Sequence, residues 1–304
     1  VAVRRRGARA DLADAGVEAL ATVAQLLVSG LLTGLVFALV AVGLTLVYGV
    51  MDVINFAHGE FLMLAMYATL GIALVGIGPL VGLPLVALAL FLFGIVVYRL
   101  FIRRLLAGPL EATIFGTFGL LVFLQGTAQA LFSSDYRSLP NRPLQGTFYV
   151  GPLSIQQAAV VEGLGALVLT GVLFAFIEYT ETGRAMRAVA EDRIAATLMG
   201  IDVNRINALA FGVGAACVGA AGALLMLSYP VYPTTGASFA LTAFVVVALG
   251  GFGNIAGALV GALLVGLLEV FGGFYLTPEV KMVPVYLAYL AIVLVRPQGL
   301  LGRR

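Results

Sequence analysis

The chain has 304 residues, 62% of them hydrophobic and 11% charged, with a formal net charge of +2. Soluble domains carry about a quarter charged residues and about half apolar ones, so this composition excludes a soluble globular domain and predicts an all-α, polytopic transmembrane helical bundle. One cysteine, Cys217, excludes an internal disulfide or a cysteine-rich metal site, and a single histidine, His58, leaves an intramembrane enzyme without a base pair or metal cluster to work with.

A spanning helix needs about 20 mainly apolar residues. Apolar segments fall at 21–48, 59–77, 80–101, 112–132, 157–177, 207–229, 239–250, 255–275 and 281–295, which gives eight to nine spans with broken or re-entrant members. Ahead of the first lie Arg4, Arg5, Arg6 and Arg9. The run behind them is too long for a signal-peptide core and has no clear small-residue cleavage site, so it reads as a retained helix after an arginine-rich cytoplasmic segment, 1–20. A single membrane domain, 21–304, follows.

Most of the 17 basic residues fall in four clusters: that first one, then Arg99, Arg103 and Arg104, then Arg184, Arg187, Arg193 and Arg205, and finally Arg296, Arg303 and Arg304. The positive-inside rule assigns all four clusters, and with them both termini, to the cytoplasm. Arg137, Arg142 and Lys281 then mark the outer face.

This assignment meets a conflict of parity, because two cytoplasmic clusters before residue 105 require an even number of crossings and three apolar segments lie between them. Either the polar interruption "MDVINFAHGE" at 51–60 keeps one segment from crossing fully, or the N-terminus lies outside. Non-helical backbone at membrane depth is tolerated only where protein or a water-filled cavity surrounds it, which makes Asn55, His58 and Gly59 candidates for a helix break on a substrate pathway. One histidine without an ionisable partner is a poor relay, so a hydrogen bond tying the break to a neighbouring helix is the preferred role for His58. Asn55 is the better pathway residue, and Asp52 and Glu60 read as interfacial.

The polar stretch 178–207 reads as helical. Ile194, Leu198 and Ile201 share a face at spacings of four and three, Ala195 and Ala196 add little bulk beside them, and Gly200 ends the helix with a left-handed cap. Glu191, Asp192 and Arg193 precede that face. A short helix with an apolar face suits a groove on another protein, and the mixed charge suits an anionic lipid surface poorly.

Small residues four apart, at Gly253, Gly257 and Gly261 and at Gly212, Ala216 and Ala220 beside Ala215, Gly219 and Ala223, mark faces of close helix packing. Gly250, Gly251, Gly253 and Asn254 interrupt the chain after an apolar run of only about a dozen residues, short for a span. They are either the second of two paired breaks around a central site or a plain cytoplasmic turn. Glu162 and Glu269, in or beside apolar runs, line a wet cavity or pair within an interface.

The stretches "GLTLVYGVMDVINFAHGEFLMLAMYA", "GRAMRAVAEDRIAATLMGIDVNRINALAFGVGAACVGAAGALL" and "ALGGFGNIAGALVGALLVGLLE", in that order, resemble the LivH type of branched-chain amino-acid ABC transporter permease, over about Gly30 to Gly302. The resemblance implies a plasma-membrane subunit importing branched-chain amino acids. Its implied partners are a LivM-type permease, two cytoplasmic ATPase subunits and an external solute-binding protein, within a lipid bilayer and with no nucleic acid. It also implies that Ala190, Glu191, Asp192, Ile194, Ala195, Ala196, Leu198, Gly200 and Ile201 match the loop that couples to the ATPases, although Glu191-Asp192 followed by Arg193-Ile194 departs from the alanine-rich signature. If 51–60 is broken, its freed amides and the Asn55 amide would meet an amino-acid carboxylate.

No Gly-x-x-x-x-Gly-Lys-Ser/Thr sequence occurs, so ATP and Mg are expected on partner chains and no cofactor or metal on this one. A urea or short-amide permease of the same build is the alternative, and a stand-alone secondary transporter a further one, against which the cytoplasmic helix argues.

Overall fold

The computed structural model describes the backbone of residues 2–140 and 144–302 and, within those ranges, the side chains from Glu18 onward. Arg4, Arg5, Arg6, Arg9, Arg142, Arg303 and Arg304, used above to orient the chain, have side chains outside the described residues. Helix α1 runs from Ala2 to Met51, without a break at residue 20. It is followed by α2 (His58–Leu74) and α3 (Pro79–Val97), which passes through a π-helical turn at Tyr98–Ile102 into the short α4 (Arg103–Leu105). Helix α5 (Leu110–Phe132) leads to an antiparallel hairpin of β1 (Thr147–Val150) and β2 (Leu153–Gln156), then to α6 (Gln157–Tyr179).

Two short polar helices, α7 (Glu181–Glu191) and α8 (Arg193–Leu198), precede α9 (Val203–Leu225), α10 (Thr235–Gly250), α11 (Ile255–Tyr275) and α12 (Val283–Val295). Among the described residues seven helical stretches are long and apolar enough to cross a membrane, and two apolar helices, α2 and α10, are shorter. The protein is a multi-pass membrane helical bundle.

The bundle has two distinguishable ends. At one, the Arg193 guanidinium donates to the Val50 carbonyl (2.9 Å), tying α8 to the last turn of α1. At the other, Gln25 and the Ser154 backbone exchange two hydrogen bonds (2.7 and 2.9 Å), tying the earlier part of α1 to β2. Helix α1 therefore passes once from the hairpin end to the α7/α8 end. The C-terminal segment is held at the α7/α8 end, where the amides of Leu300 and Leu301 donate to the carbonyls of Leu249 and Gly250. Gln25 of α1 and the Leu300–Leu301 segment thus lie at opposite ends of the bundle.

Two triplets of helices form the centre. Helix α1 packs on α11 as α3 packs on α9, α2 packs on α10, and α1 meets α9. In each case the partner runs in the opposite sense, so α1–α2–α3 and α9–α10–α11 are related as an inverted pair. Where α1 meets α9, Gly43 faces the carbonyl of Gly214 and Gly214 faces that of Gly43. Close approach of this kind requires small residues, since helices in lipid associate by backbone packing rather than by hydrophobic exclusion. Of the expected stripes Gly212, Ala216 and Ala220 beside Ala215, Gly219 and Ala223 on α9, Gly212 packs on Phe91 and Ile95, and Gly219 on Leu90. Helices α5 and α12 are mostly exposed on their flanks.

Candidate functional site

Helix α1 ends at Met51, and Asp52 takes φ +54, a left-handed cap that aspartate tolerates better than most residues. Residues 52–55 then run without helix back along α1. The return is deep: the His58 ring meets the Val40 carbonyl at 3.0 Å, about 16 Å along α1 from its end at the rise of an α-helix. A carbonyl has no proton to give, so Nε2 carries the proton and donates. In a hydrocarbon core about 30 Å thick, that depth is near the middle. The half-helix α2 starts there and completes the crossing, so the break fills out a span and does not cancel one.

A second break precedes α10, at the opposite end of that helix from the Gly250–Asn254 interruption. Residues 226–234 leave α9, and Val231 pairs with Arg137 of the 133–139 loop through two backbone hydrogen bonds (2.9 and 2.8 Å). Thr235 then starts a half-helix that runs towards the α7/α8 end. The N-termini of α2 and α10 meet inside the bundle: a Cβ on Gly59 would lie 2.2 Å from the Gly236 carbonyl oxygen, and one on Gly236 2.4 Å from that of Gly59. Pro230 and Pro233 were the available signal, since proline withholds a backbone donor and interrupts a helix.

Gly250, Gly251, Gly253 and Asn254 lie elsewhere. They form the tight turn between α10 and α11 at the α7/α8 end, where Gly250 packs on Gly257, Gly253 on Gly49, and Phe252 stacks near Tyr48 (4.7 Å). The Asn254 side chain accepts from the Gly257 amide (3.0 Å), capping α11, and donates to the Leu301 carbonyl (2.7 Å). Of the two readings left open for this segment, its geometry is that of the turn, and it does not meet Asn55, His58 or Gly59.

Around the first break, Asn55, His58, Gly59 and Glu60 are all buried. The Asn55 side-chain oxygen accepts from the Ala57 amide (3.1 Å), stabilising the turn into α2, and its amide nitrogen is buried without a partner. Glu60 corrects the expectation of an interfacial carboxylate. It is fully buried in the first turn of α2, with neither oxygen hydrogen-bonded. Asp52, by contrast, is exposed.

Replacing His58 with Ala is expected to lower the stability of the purified transporter by about 1–3 kcal/mol, the range for stranding a buried hydrogen-bonding group. Gln, which keeps a donor near Val40, is expected to lose less. Thermal unfolding midpoints check the order; equal loss of uptake by both variants at unchanged stability would instead put the ring on the pathway.

The polar helices at the other site divide at Asp192, whose carboxylate accepts from the amides of Ile194 and Ala195 (2.8 and 3.0 Å) and so caps α8. Gly200 takes φ +84 and ends the turn, as its spacing predicts. The expected face separates into two parts. Ile194 and Leu198 are 76% and 82% exposed, joined by Met199 at 83%, whereas Ala196 is buried and Ile201 half-buried against the core. Ala190, Glu191 and Ala195 are exposed beside them. An ion pair between Arg187 and Glu178 holds the middle of α7 to the end of α6.

Sequence reasoning left a third region almost unread. A cleft of about 520 Å³ opens among α10, α11, α12 and the 226–234 segment, and Glu269 and Lys281 both line it. Beyond its Phe37, Tyr229 and Phe239 wall, a small cavity takes in Glu162, one of whose oxygens is buried without a partner.

The family model described as the permease component of the branched-chain amino acid transport system matches residues 26–294. The chain is 36% identical to the high-affinity branched-chain amino acid transport system permease protein BraD of Pseudomonas aeruginosa, over 92% of this chain and 95% of that protein. The identity and both coverages are the same for the corresponding permease protein LivH of Escherichia coli K12. A more distant similarity, 31% over 32% of this chain and 33% of the other, reaches the ribose import permease protein RbsC of Bacillus subtilis. No solved structure matches.

Proposed function

The chain belongs to the family of branched-chain amino acid transport system permease components, and from that premise we propose that it is the membrane-spanning subunit of an ATP-driven importer of branched-chain, hydrophobic amino acids. The observation that carries the reading is the meeting of two half-helix N-termini, α2 and α10, inside the bundle. Paired broken helices of this kind are how membrane proteins build a central transport site, because irregular backbone at depth is stable only against protein or a cavity. The subunit is a conduit, not an enzyme, and ATP and Mg act on partner chains.

Orientation follows from charge. Arg99, Arg103 and Arg205 line one pocket, and Arg193 binds the end of α1, so the described basic clusters gather at the α7/α8 end. The positive-inside rule makes that end cytoplasmic. The hairpin end and the described start of α1 are then external, and the apolar face of Ile194, Leu198 and Met199 is offered to an ATPase subunit. Two such ATPases, a LivM-type second permease and an external solute-binding protein complete the machine. The exposed flanks face lipid or that second permease.

Affinity purification of the tagged chain from native membranes is expected to recover a second permease and an ATPase with a phosphate-binding glycine loop, and vesicles of that complex to take up leucine in competition with isoleucine and valine. Absence of the ATPase at native stoichiometry would sink the reading. Uptake inhibited by urea and not by leucine would move the substrate to short amides.

A further inference from the structure

Glu269 and Lys281 join α11 to the start of the α12 span across the mouth of the cleft, with Nζ 2.6 Å from one carboxylate oxygen. The pair is lopsided. The Glu269 side chain is only 10% exposed and Lys281 43%, and the second Glu269 oxygen is buried with no hydrogen-bond partner. A bridge whose sole task was to fasten two helices would not need to strand a carboxylate oxygen, since an unmet buried acceptor costs more than the pair contributes at the surface.

Around the pair, Phe37, Phe239, Leu241 and Met282 supply an apolar lining, and the cleft volume lies within the range of small-molecule sites, about 300–1,000 Å³. Thr235 and Ser238, from the first turn of α10, also line it, and no side chain caps that helix. An ammonium acceptor, a carboxylate donor and an apolar wall on one cleft together describe a free α-amino acid with an aliphatic side chain.

We propose that this cleft is an external amino-acid subsite of the permease, in which an incoming zwitterion opens the ion pair, its ammonium taken by Glu269, its carboxylate by Lys281 and the first turn of α10, and its side chain by the apolar wall. In the structure the two charges close on each other through one carboxylate oxygen only. Opening the pair exchanges one set of charge-assisted hydrogen bonds for another, so the ligand meets little net electrostatic cost and selection falls on a molecule carrying both charges at the right separation. The inference rests on the amino-acid reading of the previous section.

The test is equilibrium binding of radiolabelled leucine to the detergent-solubilised transporter complex without its solute-binding protein, together with uptake by vesicles of the full complex. Glu269→Gln and Lys281→Met are each expected to weaken binding tenfold or more, roughly the effect of one charge-assisted hydrogen bond, and to slow uptake with assembly unchanged. The charge-exchanged double variant Glu269→Lys with Lys281→Glu separates recognition from fastening: it would restore a purely structural bridge, but here it is expected to stay as weak as the single variants. Neither 4-methyl-2-oxopentanoate, lacking the ammonium, nor 3-methylbutylamine, lacking the carboxylate, is expected to compete. Unchanged leucine binding in the single variants, recovery in the exchanged one, or competition by either analogue would overturn the subsite and leave the transport reading standing. A wild-type complex that neither binds nor takes up any amino acid would remove both.

Discussion

Gly59→Ala is expected to abolish accumulation of folded protein in the membrane, and Gly236→Ala to do nearly the same. A methyl group on Gly59 would meet the Gly236 carbonyl oxygen at 2.2 Å and the Ala240 Cβ at 2.7 Å; one on Gly236 would meet the Gly59 oxygen at 2.4 Å and the Glu60 amide nitrogen at 3.0 Å. Ordinary overpacking costs about 1–3 kcal/mol because side chains can turn aside. Here the obstacles are mainly backbone atoms of two helix starts that are already fixed to their neighbours. The cost is therefore expected to exceed that range, and to act on the meeting of the half-helices itself.

Gly71 gives the control on the same helix, since a Cβ there meets nothing within 4 Å. Its replacement by Ala is expected to stay within about 1 kcal/mol of wild type, reflecting helix propensity alone. Membrane yield and the thermal midpoint in detergent compare the three. Gly59→Ala protein that accumulates and unfolds like wild type would mean that the two half-helices do not touch as described.

The double substitution Ile194→Glu with Leu198→Glu is expected to remove the ATPase from the purified complex while leaving the permease folded. Both side chains project from α8 with more than three-quarters of their surface exposed, so charge there costs the isolated subunit little. In a docked groove each would lose an apolar contribution of about 1.5–3 kcal/mol and bury a carboxylate as well, which amounts to at least a hundredfold in affinity for the pair. Arg193→Ala acts differently. It removes the hydrogen bond from α8 to the last turn of α1, just ahead of the Asp52–Ala57 break, and keeps the docking face. The expected result is a normally assembled complex whose ATP hydrolysis no longer drives uptake. Retention of the ATPase by the doubly charged variant would exclude α8 as its seat.

Much of this was legible from the sequence for a definite reason. Length and apolarity of a segment are local properties, and the lack of hydrogen-bond partners in lipid converts them directly into helices. The Asp192–Gly200 turn was legible in its ending, since only a left-handed residue closes a helix that way, but the division at Asp192 was not, because a capping carboxylate looks the same in sequence as a solvated one. Glu60 was misread because its surroundings come from another part of the chain: Gly236, at the start of α10, packs against its amide. Glu269 does line a cavity and does pair, as its place beside an apolar run suggested, but the walls of its cleft come from α10 and from Phe37 of α1, which its own segment does not announce.

The orientation of the start of the chain shows the limit most directly. The Gln25–Ser154 and Arg193–Val50 hydrogen bonds place Gln25 and Val50 of α1 at opposite ends of the bundle, a placement that counting basic residues does not give. By itself the sequence determined a polytopic helical bundle, a break around Asn55 and His58, and a polar helical segment closed at Gly200, because each depends on residues within a turn or two of one another. Only the tertiary structure decided that the break completes a crossing, that its counterpart precedes α10 and not the Gly250–Asn254 turn, and that "NFAHGE" lies at the level of Val40. Depth is set by which distant helix a segment is pressed against, and the close approach of Gly59 to Gly236 that fixes it leaves no periodicity in the sequence of either segment.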